Sequence, residues 1–238
     1  MSNSLLRKIR GLRGLRDFHS QDHKKFYPWG FAMNGMTSRL EATRQIIFGV
    51  GIERIVETGT FRGTTTEWFA QFGLPVETVE ITPRHHAFSV ARLAGFKNVD
   101  VILNSSVSFL KDRIAQKRVA PDTAQLFYLD SHWKDNFPLR EELQLIFNCY
   151  TNAVVLIDDF EVADDSGYAY DNYGPDKAAT LSYVKSSNLP ALEVFYPATP
   201  AKKETGARCG WVVFCSNAVT SQKLSQISLL RKYISSKA

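Results

Sequence analysis

Cysteine is scarce in this chain, with Cys149, Cys209 and Cys215 the three among 238 residues. An odd number without metal-ligand spacing excludes a disulfide framework and a cysteine zinc site, and predicts reduced packing residues. No apolar run approaches the ~20 residues that cross a bilayer, and no secretory leader pattern is evident, so a cytosolic protein is the expectation. Internal repeats and disordered linkers are missing too. So are the G-x-x-x-x-G-K phosphate loop and the G-x-G-x-x-G dinucleotide fingerprint. A hydrophobic content of 44% with 22% charged residues is that of an ordered globular chain. The length suits one α/β domain with decorations.

The net charge of +5 is unevenly distributed. Residues 1–25 carry seven Lys/Arg against two Asp, and 201–238 carry seven against Glu204 alone. Residues 26–200 are therefore net −6, which argues against a body built to grip phosphate backbones and leaves the basicity at the ends.

The most informative stretch runs from Ile55 to Thr65. Ile52, Ile55 and Val56 make a buried strand, Gly59 and Gly63 bracket a tight loop, and Thr64 or Thr65 is placed to cap a helix through Trp68, Phe69 and Phe72. Strand, loop and helix N-terminus form the nucleotide-binding corner of an open α/β sheet. The spacing here is E-x-G-x-x-x-G with no following lysine, and the acid, Glu57, suits a cationic ligand better than a pyrophosphate.

Strands and helices then alternate as in a doubly wound, Rossmann-like sheet of about seven strands, mostly parallel with an antiparallel edge. Strands are predicted at 53–57, 75–81, 99–103, 125–130, 153–157, 192–196 and 210–215. Helices are predicted at 38–48, 64–73, 83–95, 106–117, 138–149, 176–185 and from about 221. Thr82-Pro83 reads as a helix start with Thr as N-cap. Leu40, Ile47 and Val50 are the expected core face of the 38–48 helix, and Gly49 and Gly51 its termination. The chain divides into an N-terminal helical and aromatic extension, 1–50, and a catalytic domain, 51–238.

Ligands of such sheets sit outside the carboxyl ends of the strands, and those ends are crowded with polar groups. They carry Glu57, Glu80, Asn104-Ser105-Ser106, Asp130-Ser131-His132-Trp133-Lys134 and Asp158-Asp159. Glu80, about 20 residues after the glycine loop, is placed to bind ribose hydroxyls, or else is a solvated strand end. Asp130, Asp158 and Asp159 on adjacent strand ends repel one another unless neutralised. A hard divalent cation, best Mg²⁺, achieves that; helix N-termini and nearby arginines are the alternative.

With these motifs in order, the chain resembles class I S-adenosylmethionine-dependent methyltransferases, and among them the metal-dependent O-methyltransferases. The loop from Glu57-Thr58-Gly59 to Gly63 is similar to the family's cofactor loop, and Thr78-Val79-Glu80-Ile81-Thr82-Pro83 to its second motif. The resemblance implies S-adenosylmethionine bound by Glu57, Gly59, Thr60, Phe61, Arg62, Gly63, Thr64, Glu80, Ser105, Ser106 and Asp130. Arg62 reads equally as a local salt-bridge partner or a substrate contact. The segment Asp130 to Asp135 resembles the catechol enzymes' stretch with a metal-ligand Asp and a lysine base. It implies Mg²⁺ on Asp130, Asp158 and Asp159, with Lys134 or His132 as the base. Ser131 is an extra residue in that stretch. Asp159 replaces the amide usual in the catechol enzymes, and the acidic pair with its following aromatic loop looks more like the macrocin-type enzymes that methylate sugar hydroxyls. A small-molecule or glycosyl hydroxyl is the implied acceptor.

Residues 5–18 interleave Leu5, Ile9, Leu12, Leu15 and Phe18 with Arg7, Lys8, Arg10, Arg13 and Arg16. Such a basic amphipathic helix packs on its own domain, on a second subunit of a homo-oligomer, or on an anionic membrane. Two other functional classes stay open at this level. One is an RNA or DNA methyltransferase, disfavoured by the missing proline-aromatic motif after the fourth strand. The other is a non-catalytic cofactor-binding partner protein.

Overall fold

The computed structural model describes residues 3–20, 31–174, 176–185 and 188–234. Residues 26–30 of the aromatic stretch lie outside them. The N-terminal helix α1 (Asn3–His19) precedes a short 3-10 turn (Ala32–Gly35) and α2 (Thr37–Ile46), which closes through a π turn at Ile47–Gly51. The strands are β1 (Arg54–Thr58), β2 (Val76–Glu80), β3 (Val99–Leu103), β4 (Gln125–Leu129), β5 (Ala153–Ile157), β6 (Glu193–Pro197), β7 (Val212–Cys215) and β8 (Leu230–Lys232). Between them lie α3 (Thr64–Ala70), α4 (Pro83–Leu93), α5 (Ser106–Ala115), α6 (Leu139–Cys149), α7 (Leu181–Lys185) and α8 (Ala218–Leu224).

The sheet runs β3-β2-β1-β4-β5-β7-β6-β8, so the strand order reverses between β1 and β4. β3 to β5 are parallel, and β7 inserts antiparallel between β5 and β6. β4 and β5 are wholly buried runs of Gln-Leu-Phe-Tyr-Leu and Ala-Val-Val-Leu-Ile, as expected of strands covered on both faces. The period of two assigns the faces. Glu57, Tyr128 and Leu156 are paired neighbours and share the face on which Thr66 of α3 and Arg39 of α2 meet them. Phe127 belongs to the opposite face, against Tyr150, with Arg113 of α5 between.

Several expectations change. An eighth strand, β8, follows α8 and pairs with β6, because the chain turns back at Ser225 instead of continuing as a helix. The 176–185 helix shrinks to α7, since Tyr173, Lys177, Asn172 and Ala178 pair in a hairpin-like turn. Gly63, not Thr64 or Thr65, is the N-cap of α3, and the threonines turn inward instead: Thr65 accepts from the Met33 amide and Thr66 donates to Glu57. Thr82 occupies the expected cap position of α4 without a side-chain cap bond; its amide donates to Glu80. Of the expected core face, Ile47 and Val50 are buried and Leu40 is partly buried against the core; Arg39, Ala42, Thr43 and Ile46 of α2 are buried as well.

Helix α1 lies on α4. Gly14 is buried against the Arg84 carbonyl, where a Cβ would come within 2.0 Å of the oxygen. Asp17 accepts from Arg84 at 2.5 Å, and Phe18 meets Phe88 edge-on at 5.4 Å. Among the described residues no helix is long and apolar enough to cross a membrane.

Candidate functional site

The site is the crevice at the strand-order reversal, where the ends of β1, β4 and β5 lie side by side. In register, Thr58 pairs with Leu129 and Leu129 with Ile157, so the residues just beyond are Gly59, Asp130 and Asp158. Gly59 takes φ +92° and approaches so closely that a Cβ would stand 2.1 Å from the Asp130 carbonyl oxygen. That contact explains why the first loop position is glycine: the β1 loop rests on the backbone of the β4 loop.

The loop is held from two sides. Glu80 at the end of β2 accepts from the Phe61 amide at 2.8 Å and from the Thr82 amide at 2.7 Å. One carboxylate thus fixes both the glycine loop and the start of α4. Burial raises its pKa against those two bonds. Glu57 is buried between Thr66 and Thr78, both donating to one of its oxygens, and burial lifts its carboxyl to about 7. Thr60 bonds Thr78 at 2.6 Å. Phe61 adopts φ +48° and meets His85 edge-on at 4.6 Å; burial, reinforced by Arg62, holds His85 down to about 4. Arg62 is buried over the Phe88 ring at 4.6 Å and lies 4.0 Å from Asp17, which makes it a contact between the loop and α1. Gly63 is lined by Ser89 and Leu93 of α4. Ser105 caps α5 by accepting from Ser108, and Ser106 receives the Ser131 hydroxyl at 3.4 Å.

Across the crevice, Asp130, Asp158 and Asp159 each present a carboxylate oxygen within 4.8 Å of the others. The structure brings this trio together as its sequence positions imply. Asp158 is fully buried and receives Arg39 at 2.5 Å, Tyr128 at 2.7 Å and Asn34 at 3.3 Å. Arg39 also reaches the Tyr128 hydroxyl at 2.5 Å. Burial, then repulsion from Asp158 and Asp159, pushes Asp130 well above the carboxylate range; burial and Asp158 raise Asp159 to about 7. Asp159 sits at φ +49° and its carboxylate is bonded by the Cys209 thiol, whose own pKa burial and Asp159 push up. Left-handed backbone at Phe61, Lys134 and Asp159, three non-glycine positions on one rim, is strain of the kind that gathers at functional sites.

The two candidate bases part company. His132 is buried, with Nε2 3.4 Å from Glu142 of α6 and its ring beside Phe137. Burial of Glu142 is outweighed by His132, Ser131 and Ser106, and its pKa falls below the ordinary value. Lys134 is exposed, 5.5 Å over the Trp133 ring. Its backbone amide instead bonds the Tyr173 hydroxyl, which donates to Asp171 at 2.8 Å. The Asp171 amide in turn donates to the Asp159 carbonyl, so the tyrosine-rich loop is tied to the rim.

Arg39, Tyr128, Glu142 and Cys209 were not singled out from sequence. Tyr128 had a signal: it stands two residues before Asp130 on one strand and so shares its face. Arg39 and Cys209 had none, since their partners lie 119 and 50 residues away in sequence respectively.

No protein-family model matches the chain, and no curated protein does. Solved structures do. The O-methyltransferase TomG from Streptomyces achromogenes, involved in tomaymycin synthesis and solved with S-adenosylmethionine, aligns with a TM-score of 0.53 and 17% identity over 75% of this chain and 80% of that one. The O-methyltransferase from Bacillus cereus, solved with S-adenosylhomocysteine, aligns at 0.50 and 18% identity, covering 74% and 78%. The methyltransferase domain of bacterial CtHen1 aligns at 0.52 and 13% identity, covering 75% and 98%. The chain therefore has the Rossmann-like fold of these methyltransferases.

Proposed function

We propose that this chain is an S-adenosylmethionine-dependent O-methyltransferase, dependent on a divalent cation and acting on a hydroxyl of a small molecule or sugar moiety. The observation that carries this reading is the placement of two half-sites on one rim: the glycine loop with Glu57 and Glu80 at β1 and β2, and the acidic trio at β4 and β5. Carboxylates at the ends of β1, β2, β4 and β5 suit a sulfonium cofactor and a metal, and the net −6 of residues 26–200 disfavours a nucleic-acid acceptor.

The trio fits a cation by its chemistry. Its donors are all hard oxygens, and among the described residues the ion pair to the trio is Arg39 on Asp158, which leaves a deficit that a divalent ion meets. Asp130, Asp158 and Asp159 would hold Mg²⁺, which when bound supplies positive charge that lowers the pKa of an acceptor hydroxyl. The chain's own residues then do the positioning. Arg39 and Tyr128 fix Asp158, Glu80 fixes the loop, and the exposed Trp133, three residues beyond Asp130, offers a ring face for a sugar or aromatic acceptor. As the acceptor oxygen takes the methyl group from sulfur, its proton passes to a base. Lys134 is our candidate, on the exposed loop that meets Tyr173, with His132, paired with Glu142, as the alternative.

The test is methyl transfer to a panel of catechol and glycoside acceptors. Asp159→Ala should reduce transfer at least about 100-fold while calorimetric binding of S-adenosylhomocysteine persists. Full activity in excess EDTA would overturn the metal dependence. In the same assay Lys134→Met should flatten the ascending limb of the pH–rate profile, where a general base loses its proton; an unaltered limb returns the base role to His132.

A further inference from the structure

We infer that α1 is a membrane-docking helix that seats this protein on anionic lipid, a surface role separate from the rim chemistry. The helix is fixed to the body along one line, with Gly11 and Gly14 against α4 and Phe18 on Phe88. Leu12 lies about 160° round the helix from Gly14 and points away from the body. It is 67% exposed, and Leu15, about 60° round the helix from it, is exposed beside it. A body-packing helix would have turned these leucines inward. Here Gly11, Gly14 and Phe18 face the domain while Leu12 and Leu15 face solvent.

Charge selects the occupant. Arg7, Lys8, Arg10, Arg13 and Arg16 are all exposed on the same helix. Asp17, the sole acid of α1, is turned to Arg84 and Arg62 and does not offset them. Leucines rimmed by five cations match the interface of an anionic bilayer, where apolar side chains enter the acyl boundary and each nearby Lys or Arg adds attraction to the headgroups. A second copy of α1 would have to bring five like charges against five. With Asp17 bridging α1 to Arg62 of the glycine loop, a docked helix would hold the rim at a fixed place relative to the lipid surface.

The experiment is flotation of the full chain with vesicles of phosphatidylcholine containing phosphatidylglycerol, and with phosphatidylcholine alone. Binding to the anionic vesicles, weakened by salt, is expected. Leu12→Glu should reduce the partition coefficient about tenfold or more, and Arg10→Glu with Arg13→Glu by a similar factor. Both variants alter exposed positions, so unchanged thermal melting separates lost docking from lost folding. No flotation, or flotation indifferent to both variants, overturns the inference. So does a concentration-dependent dimer abolished by Leu12→Glu, which would give the leucines to a second copy. Salt-sensitive retention on RNA without any vesicle binding overturns it in favour of nucleic acid.

Discussion

At the scale of single residues, the rim is a set of carboxylates whose ionisation is resisted by burial. Glu57 shows the consequence most simply, because its partners are two threonine hydroxyls and no cation. Its pKa rises from 4.5 to about 7 on folding, so the folded state binds the proton more tightly than the unfolded state. That contribution to stability is complete below pH ~4.5 and is lost as pH rises through about 7. Glu57→Gln should therefore lose less stability than wild type between pH 5 and 8, by on the order of 2–3 kcal/mol, when urea melts are compared. Parallel pH curves for the two proteins would refute the assignment. The chemistry of this rim was legible in the sequence because each acid stands at or just beyond the carboxyl end of a strand. The partner that neutralises Asp158 was not: Arg39 lies beside Leu40, which with Ile47 and Val50 was the expected core face of that helix. A buried arginine at 0% exposure has no sequence signature until its carboxylate is found.

At the scale of elements, the decisive unit is β1, its loop and α3. Its glycines were read as permitting close approach, and the structure distinguishes between them. At Gly59 a Cβ meets the Asp130 backbone at 2.1 Å, whereas at Gly63 it meets side chains of Leu93 and Ser89 at 3.1 and 3.3 Å. Backbone cannot yield and side chains can. Gly59→Ala should consequently cost more stability than Gly63→Ala, about 2–4 kcal/mol against 1–2, and should lower S-adenosylhomocysteine affinity at least tenfold. Paired urea melts and calorimetry would decide, and equal losses at the two positions would show that crowding at Asp130 is not what sets the crevice. The same unit corrects the cap: with Gly63 as N-cap, Thr65 and Thr66 are free to bond Met33 and Glu57. Hydroxyl residues near a helix start announce a terminus, but which of them caps depends on what lies within reach.

At the scale of the whole molecule, the sheet ends on a strand that the sequence did not announce. β8 is three residues long, Leu230-Arg231-Lys232, too short for a period to register. It covers the edge of β6, with Lys232 paired to Glu193 and Arg231 to Asp164, a short charged strand of the sort that discourages edge-to-edge association. A chain ending at Ser225 should lose the buried side chains of Ile227 and Leu230, about 2–5 kcal/mol, and should scatter light on mild heating where wild type does not. Retained solubility and melting temperature would deny β8 this role.

By itself the sequence determined the α/β class, the parallel core and the row of polar strand ends, because these follow from local periodicity and from the rule that such sheets bind ligands at one edge. Only the tertiary structure decided which acids meet and what balances them. It set Arg39 and Tyr128 on Asp158, Cys209 on Asp159 and Glu142 on His132, and it left Lys134 exposed over Trp133. The physical reason is range. A strand or helix is written in neighbours two to four residues apart, whereas burying a charge requires a partner from wherever the fold returns the chain.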